Sequence, residues 1–172
     1  EDGAQSFGAS LDNRKSCSFG NIGCTSFFPT KPLGCYGDGG AVFTNDKSID
    51  YLLRSLKNHG QTSKNVFTHL GVNSRLDSIQ AAVLLEKIQI FNQEIELRQS
   101  NANRYSKLLS FDEQTLQIPK VIKNGSSVWA QYTIKIDNRD KIITSLKREK
   151  VPYSIYYDKP LYHYSPYLEA KG

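Results

Sequence analysis

The sequence predicts a mixed α/β protein, and three patterns along its 172 residues support this class. Short apolar runs bounded by Gly and Pro, typical of buried strands, lie at residues 24–28 and 41–44. Apolar residues at helical spacing fill residues 78–109, which is long for a single helix. Residues 129–157 then read as strand, helix and strand, which indicates an α/β lobe of their own.

The first predicted helix follows the second strand. Asn45 and Asp46 can cap its first turn, and Gly60 supplies its stop. Four apolar residues recur at helical spacing between these signals: Ile49, Leu52, Leu53 and Leu56.

The next pattern predicts one long helix, or two nearly collinear helices, over roughly residues 78–109. Asp77 can cap its first turn, and Gln80 three positions later completes a pair that is similar to a capping box. The apolar residues expected to form one packed face are Ile79, Ala82, Val83, Leu85, Ile88 and Phe91.

The last third of the chain has a different residue pattern from the rest. The pattern predicts a loop with a short strand, a strand, a helix and a strand, at residues 112–126, 129–136, 140–149 and 151–157. We therefore expect two domains, residues 1–109 and residues 110–172.

Composition excludes several classes of protein. With 22 Lys and Arg against 17 Asp and Glu the net charge is +5, and the basic residues are scattered rather than clustered. We therefore expect no nucleic-acid partner. No apolar run approaches the ~20 residues of a membrane helix, so no membrane partner is expected either. A modest positive charge suits anionic small substrates.

Three cysteines, Cys17, Cys24 and Cys35, form no C-x-x-C pair and have no His at ligand spacing. The odd number argues against a disulfide scaffold, and the spacing argues against zinc, so we expect no metal. Small packing residues in a reducing cytoplasm are the preferred interpretation.

Lys31 stands out by its surroundings. It follows an apolar strand, lies between Pro29 and Pro32, and precedes the Gly-rich residues 37–40. Most lysines are solvated surface charges. A lysine held in a crowded turn, however, can serve as an amine nucleophile.

Six short motifs occur in a fixed order along the chain. They are D-x-x-Q at 2–5, S-F-x-x-x-K at 26–31, G-D-G-G-A at 37–41, H-G at 59–60, G-V-N-S-R-L-D at 71–77 and Q-A-A at 80–82. This set resembles the DegT/StrS-type sugar aminotransferases, which use pyridoxal phosphate (PLP). The likeness continues through residues 129–132 and 156–161 and so covers essentially the whole chain.

The resemblance implies a fold-type I PLP-dependent transferase, the aspartate aminotransferase fold. The chain would hold the later part of the large domain, the long connecting helix and the start of the small C-terminal domain. It contains no Met, and we expect it to be an interior fragment whose upstream half carries the rest of the PLP site.

The same resemblance assigns five residues to the cofactor. Lys31 matches the lysine that binds PLP as a Schiff base and later transfers the proton, and Asp2 matches the carboxylate paired with the pyridine nitrogen. A protonated ring is the better electron sink. Gln5 matches a contact to the ring or its 3-oxygen. Ser26 and Asn73 match phosphate ligands, Asn73 reaching in from the neighbouring subunit of a homodimer with shared active sites.

The implied reaction moves an amino group, from glutamate, to a nucleotide-linked keto sugar. Residues 27–40 and 72–77 are similar to the branch acting on UDP-linked 3-keto-N-acetylhexosamines or their uronates, for surface polysaccharide such as lipopolysaccharide. Arg75, Tyr156 and Tyr157 match substrate-binding positions, although Tyr156 and Tyr162 stand where many relatives have His.

Three alternatives stay open at this point. The complete protein could be a 4-keto-sugar aminotransferase of the same family. A dehydratase of the family would have His at the position of Lys31, so Lys31 argues against it. The chain could also be an inactive, non-enzymatic fragment or paralogue.

Overall fold

The structure is a computed structural model that describes residues 1–110 and 115–168. It confirms the mixed α/β class. The elements, in chain order, are β1 Ser10–Leu11, β2 Arg14–Lys15, β3 Gly23–Ser26, β4 Gly40–Phe43, α1 Lys47–Leu56, β5 Gln61–Ser63, β6 Val66–Phe67, α2 Ser78–Leu109, β7 Leu116–Gln117, β8 Gly125–Ser126, β9 Lys135–Ile136, α3 Arg139–Arg148, a 3₁₀ turn Leu161–His163 and α4 Ser165–Leu168.

The chain divides into two compact units, residues 1–134 and residues 135–172. This division describes packing density within the chain. The predicted domains, with their boundary after residue 109, concern the complete fold and stay a prediction.

Strands β3 and β4 form an antiparallel pair in which Cys24 opposes Val42 and Ser26 opposes Gly40. Both strands lie where the apolar runs predicted them, one or two residues earlier. One further bond continues this register beyond Ser26, from the Phe27 N–H to the Gly39 carbonyl at 2.8 Å, before the chain enters the loop. Residues 1–3 join β3 on its other side, where Asp2 opposes Cys24 in a parallel bridge.

A cluster of buried side chains supports this sheet: Phe27, Leu33, Cys35, Leu84 and Phe91. Phe7 stacks on Phe91 at 5.9 Å between ring centroids and meets Phe27 edge-on at 6.2 Å. The expectation that β4 is buried is wrong, since Val42 is half exposed. Apolar sequence marks a strand, but its burial depends on what packs against it.

Helix α1 confirms the predicted cap and stop. Asp46 Oδ1 accepts hydrogen bonds from the N–H groups of Ser48 at 2.7 Å and Ile49 at 3.2 Å. Gly60 adopts φ +76°, and its N–H donates to the Ser55 carbonyl at 2.9 Å. A β-carbon on Gly60 would lie 1.7 Å from the His69 carbonyl oxygen, so the turn into the β5–β6 hairpin requires glycine.

Helix α2 is a single helix of 32 residues, which is the first of the two arrangements predicted for residues 78–109. Its start differs from the prediction. Asp77 occupies the N-cap position but makes no side-chain cap bond. The predicted capping-box pair with Gln80 is wrong, because Gln80 Oε1 accepts from the backbone N–H of Tyr36 at 2.8 Å.

The packed face of α2 is only partly the predicted one. Leu84, Phe91 and Ala102 are its buried residues. The predicted face residues Ile79 and Leu85 are 76% and 66% exposed. The helix is apolar on more than one side, so its sequence alone did not specify which side packs.

Two aromatic residues that follow α2 in the sequence, Trp129 and Tyr132, pack against the second half of this helix. Trp129 Nε1–H donates to Gln99 Oε1 at 2.8 Å, and the Tyr132 and Ser106 hydroxyls are 2.9 Å apart. Trp129 stacks on Tyr132 with ring centroids 5.5 Å apart. The predicted strand over 129–136 is therefore wrong except for its last two residues, β9.

The second unit is described from Lys135 to Leu168. Helix α3 confirms the predicted helix to within a residue at each end. The predicted strand over 151–157 is wrong, because these residues are exposed and form no ladder. No residue between 135 and 167 is buried.

No described helix is long and apolar enough to cross a bilayer.

Candidate functional site

The sheet formed by residues 1–3, β3 and β4 has two unlike faces. Successive side chains of a strand project to opposite sides, and residues directly paired across strands share a side. Asp2, Cys24, Ser26, Gly40 and Val42 therefore lie on one side, the front face. Glu1, Gly3, Gly23 and Thr25 lie on the other, the back face.

Burial agrees with this division. Gly3, Gly23 and Thr25 of the back face are buried, whereas Asp2 and Cys24 of the front face are exposed. Thr25 Oγ1 donates to the Gly3 carbonyl at 3.2 Å, which ties the back of the two strands together. The front face thus presents the carboxylate and hydroxyl groups to solvent on a packed support.

Asp2 is held in a defined orientation. Its Oδ1 accepts from the N–H of Ala4 at 2.9 Å, at the start of the turn that follows. The N–H groups of Ser6 and Phe7 both donate to the Gly3 carbonyl and close that turn. Gln5 lies exposed within it, three residues from Asp2.

Lys31 and Ser26 are placed by the loop that leaves β3. Ser26 Oγ accepts from the Phe28 N–H at 3.2 Å, and the Lys31 N–H donates to the Phe28 carbonyl at 2.8 Å. A β-carbon on Gly34 would lie 2.7 Å from the carbonyl oxygens of Phe28 and Pro29, so the loop folds tightly on itself. The half-buried Lys31 therefore stands in the crowded turn that its neighbours predicted.

Residues at the start of α2 and just before it pack against this loop. Gln80 holds the Tyr36 backbone, and a β-carbon on Gly39 would lie 3.0 Å from Leu76 Cδ1 and 3.1 Å from Cys35 Sγ. Cys35 Sγ in turn donates to the Phe27 carbonyl at 3.0 Å. The loop is thus fixed at both ends, which limits where the Lys31 amine can reach.

Asn73 and Arg75 form a second, exposed group. Asn73 bridges to Asn58 through the backbone, and Arg75 Nε donates to Asn73 Oδ1 at 3.1 Å. In the part of the chain that the structure describes, neither side chain hydrogen-bonds to Asp2, Ser26 or Lys31. Their grouping with those residues stays a prediction.

Tyr156 and Tyr157 belong to the second unit and are 65% and 79% exposed. They lie outside regular structure. Nearby, the Tyr164 hydroxyl donates to Asp158 Oδ1 at 2.6 Å, which lowers the pKa of the Asp158 carboxyl and raises the pKa of the Tyr164 phenol. Assignment of the two tyrosines to the substrate also stays a prediction.

Two supporting residues were not predicted as part of the site: Glu1 and Gln80. The Glu1 carboxylate accepts from the backbone N–H groups of Phe19 at 2.8 Å and Cys17 at 2.7 Å, which lowers its pKa. A sequence signal existed for Glu1, because a residue next to Asp2 in a strand must face the opposite side. Gln80 begins the Q-A-A motif at residues 80–82, but that motif did not indicate its contact with the Tyr36 backbone.

The sequence profile of the DegT/DnrJ/EryC1/StrS aminotransferase family matches residues 1–172. The chain belongs to this family. Members of the family depend on PLP, and the predicted fold-type I class is confirmed.

Two curated relatives illustrate where the chain lies within the DegT/DnrJ/EryC1/StrS family. It is 49% identical over 161 residues to UDP-2-acetamido-2-deoxy-3-oxo-D-glucuronate aminotransferase of Pseudomonas aeruginosa, covering 94% of this chain and 44% of the relative. It is 39% identical over 161 residues to UDP-N-acetyl-3-dehydro-alpha-D-glucosamine 3-aminotransferase of Acidithiobacillus ferrooxidans, covering 93% and 43%. The chain thus spans less than half the length of these relatives.

A solved structure gives the same result for the fold. The crystal structure of a DegT DnrJ EryC1 StrS aminotransferase from Brucella abortus superposes with a TM-score of 0.92 and 46% identity. The match covers 98% of this chain and 44% of that chain. The short strands and the long α2 are therefore elements of the DegT-family fold.

Proposed function

We propose that the complete protein containing this chain is a PLP-dependent aminotransferase that moves an amino group from glutamate to a nucleotide-linked keto sugar. The observation that carries the proposal is the front face. Asp2 and Ser26 share it, and Lys31 follows Ser26 in a rigid turn. These are the residue types that the family's chemistry requires, in a chain that belongs to the family.

The donor set fits PLP group by group. A carboxylate at Asp2 can pair with the protonated pyridine nitrogen, a hydroxyl at Ser26 can donate to the phosphate, and the Lys31 amine can bond to the aldehyde carbon. PLP, when bound, accepts the amino group and withdraws electrons from the carbon that loses its proton. The residues present on the front face therefore suit this cofactor.

The chain's own residues divide the work. Asp2 would keep the ring nitrogen protonated, and Ser26 would hold the phosphate. Lys31 Nζ would bond to the aldehyde carbon between turnovers, the aldehyde oxygen leaving as water, and once free would serve as the base that moves a proton. Gln5, in the turn after Asp2, contacts the ring or its 3-oxygen.

Asn73 is proposed to act across a homodimer interface, at the phosphate of the neighbouring subunit. The support is its exposure and the apolar surface around it: Leu70 is fully exposed, and Phe67 and Val72 are more than 60% exposed. Exposed apolar side chains of this extent are typical of interfaces. A C₂ dimer would bury them and bring each Asn73 to the partner's site.

The substrate proposed is a UDP-linked 3-keto-N-acetylhexosamine or its uronate, used in surface polysaccharide synthesis. Support comes from the two relatives, whose names give UDP-linked 3-oxo sugars. Arg75, Tyr156 and Tyr157 are proposed to contact it, and the net charge of +5 suits its diphosphate. We place the enzyme in the cytoplasm, since its three cysteines are free.

Trapping experiments on the complete protein test the proposal. Borohydride added after PLP should fix the cofactor to Lys31, as read by peptide mass spectrometry, and Lys31→Ala should abolish both the adduct and amino transfer. The control is Lys47→Ala, an exposed lysine that begins α1. Turnover by Lys31→Ala would refute the proposal. NMR of the product separates amination at C3 from amination at C4.

A further inference from the structure

The carboxylate of Glu1 occupies an unusual backbone turn on the back face of the sheet. Its Oε1 accepts from the Cys17 N–H at 2.7 Å and its Oε2 from the Phe19 N–H at 2.8 Å. Cys17 lies in the left-handed region at φ +72°. This backbone conformation lets the N–H groups of residues 17 and 19 converge on one carboxylate, a concave arrangement that suits an anion. Here the anion is a side chain of the protein.

The turn that binds Glu1 is pressed against the strand that carries Asp2. A β-carbon on Gly23 would lie 2.4 Å from the Cys17 carbonyl oxygen, and one on Gly3 would lie 2.3 Å from Cys17 Sγ. Both glycines are buried. Glycine at these two positions therefore lets the Cys17 segment lie directly beneath the first strand.

Backbone pairing and the Glu1 side chain both hold the strand that carries Asp2. The backbone bonds join the Cys24 N–H to the Glu1 carbonyl at 2.9 Å and the Gly3 N–H to the Cys24 carbonyl at 2.7 Å. The Glu1 carboxylate adds two charge-assisted bonds, which are the stronger kind. It adds them from the side opposite to Asp2.

We propose that Glu1 is a positioning residue for Asp2: its carboxylate, bound in the Cys17–Phe19 turn, fixes the strand from the back so that Asp2 meets the cofactor ring on the front. This inference rests on the proposed function of Asp2. It assigns a role to the residue next to the acid and to the turn beneath the strand, in which Cys17 adopts a strained positive φ.

The test uses the complete protein with PLP bound, and compares Glu1→Ala, Glu1→Gln, Asp2→Asn and the double variant Glu1→Ala/Asp2→Asn. Glu149→Gln is the control, since its carboxylate lies at the surface beside Arg148. Three quantities are measured: kcat, the pH dependence of the cofactor's visible absorbance band, and the thermal midpoint of the protein without PLP.

We expect kcat of Glu1→Ala to fall on the order of 100-fold, because displacement of a reacting partner by about 1 Å has that effect. Its absorbance titration should shift in the same direction as that of Asp2→Asn, which a merely structural residue would not do. The double variant should be no worse than Asp2→Asn alone, since Glu1 acts through Asp2. Glu1→Gln keeps one acceptor oxygen, so its kcat should lie between those of wild type and Glu1→Ala. If Glu1→Ala does not fold, Glu1→Gln takes its place in the test.

Two results would overturn the inference while leaving the proposed function intact. One is a folded Glu1→Ala, or Glu1→Gln in its place, with unaltered kcat and titration while Asp2→Asn is impaired. The other is a double variant whose fold-loss in kcat equals the product of the two single fold-losses. If Asp2→Asn itself leaves rate and absorbance unchanged, the assigned role of Asp2 fails and the inference fails with it.

Discussion

Residues 1–43 and residues 135–168 differ in how firmly packing fixes their polar groups. In the first region Asp2, Ser26 and Lys31 stand on short strands and a tight loop that cover a buried aromatic cluster. In the second, Tyr156 and Tyr157 stand in an exposed segment where no described residue from 135 to 167 is buried. The groups proposed to hold the cofactor therefore lie where the packed support is dense.

The comparison also shows that the two regions keep order by different means. The first depends on buried side chains and close backbone contacts, which need glycine at several positions. The second depends on local polar contacts, such as Tyr164 with Asp158 and Lys159 over the Tyr164 ring at 4.4 Å. Substitutions should therefore affect the two regions by different amounts, and each prediction below tests this in the complete protein.

The largest effect is expected from the core under the first region. Phe91→Ala should destabilise the protein by about 3–5 kcal/mol, because it removes a buried ring and leaves a cavity. Urea denaturation measures the change. Leu97→Ala, on an exposed side of the same helix, should shift the free energy of unfolding by less than about 0.5 kcal/mol. Equal losses for both would mean that the cluster does not support the sheet.

A smaller effect is expected from the contact that ties α2 to the loop after Lys31. Gln80→Ala should cost about 1 kcal/mol, since the Tyr36 N–H loses its partner. Hydrogen exchange at Tyr36 should accelerate as well. Gln89→Ala is the matched control, because among the described residues Gln89 donates a hydrogen bond to the Leu85 carbonyl of its own helix. Unchanged exchange in Gln80→Ala would contradict the assigned contact.

The N-caps of α1 and α2 lie between the two regions and show how a single local hydrogen bond affects stability. Asp46→Ala should lower the thermal midpoint, whereas Asp77→Ala should leave it unchanged, because only Asp46 bonds to the first turn of its helix. Hydrogen bonds from Ser48 and Ile49 lower the pKa of the Asp46 carboxyl. The cap therefore contributes stability above the ordinary carboxyl pKa and loses it as pH falls through the lowered value. The difference between the variants should vanish in acid.

The smallest effect is expected in the second region. Tyr164→Phe should raise the pKa of Asp158 towards its ordinary value, since the hydroxyl that lowers it is gone. NMR titration of the Asp158 carboxyl measures this. Tyr167→Phe, with an exposed ring four residues from the 3₁₀ turn, is the control. Loss of global stability in Tyr164→Phe would show that this region is packed more firmly than described.

Much of the fold followed from local sequence. Asp46 and Gly60 bounded α1, and the apolar spacing over residues 78–109 gave the full length of α2, because caps and periodicity act within a few residues. The strands predicted over 129–136 and 151–157 failed. Aromatic and β-branched residues favour strands only where a neighbouring strand is available, and Trp129 instead bonds to Gln99 of α2.

The candidate site was likewise predicted only in part from the sequence. Sequence motifs pointed to Lys31, Asp2 and Ser26, and the register of β3 brings Asp2 and Ser26 to one face. The support on the opposite face was not predicted. Contacts such as Glu1 with residues 17–19 join segments distant in sequence, and no local pattern records them.

The sequence by itself determined the family and the order of the main helices, and it predicts the residues that hold the cofactor, since each depends on residue types at short spacing. Only the tertiary structure decided which side of α2 is buried and that Gln80 bonds to the Tyr36 backbone instead of capping its own helix. It also decided that the Glu1 carboxylate is bound on the side of the strand opposite to Asp2. The physical reason is that an apolar stripe, an amide or a carboxylate has several favourable partners. Packing of distant segments selects one of them.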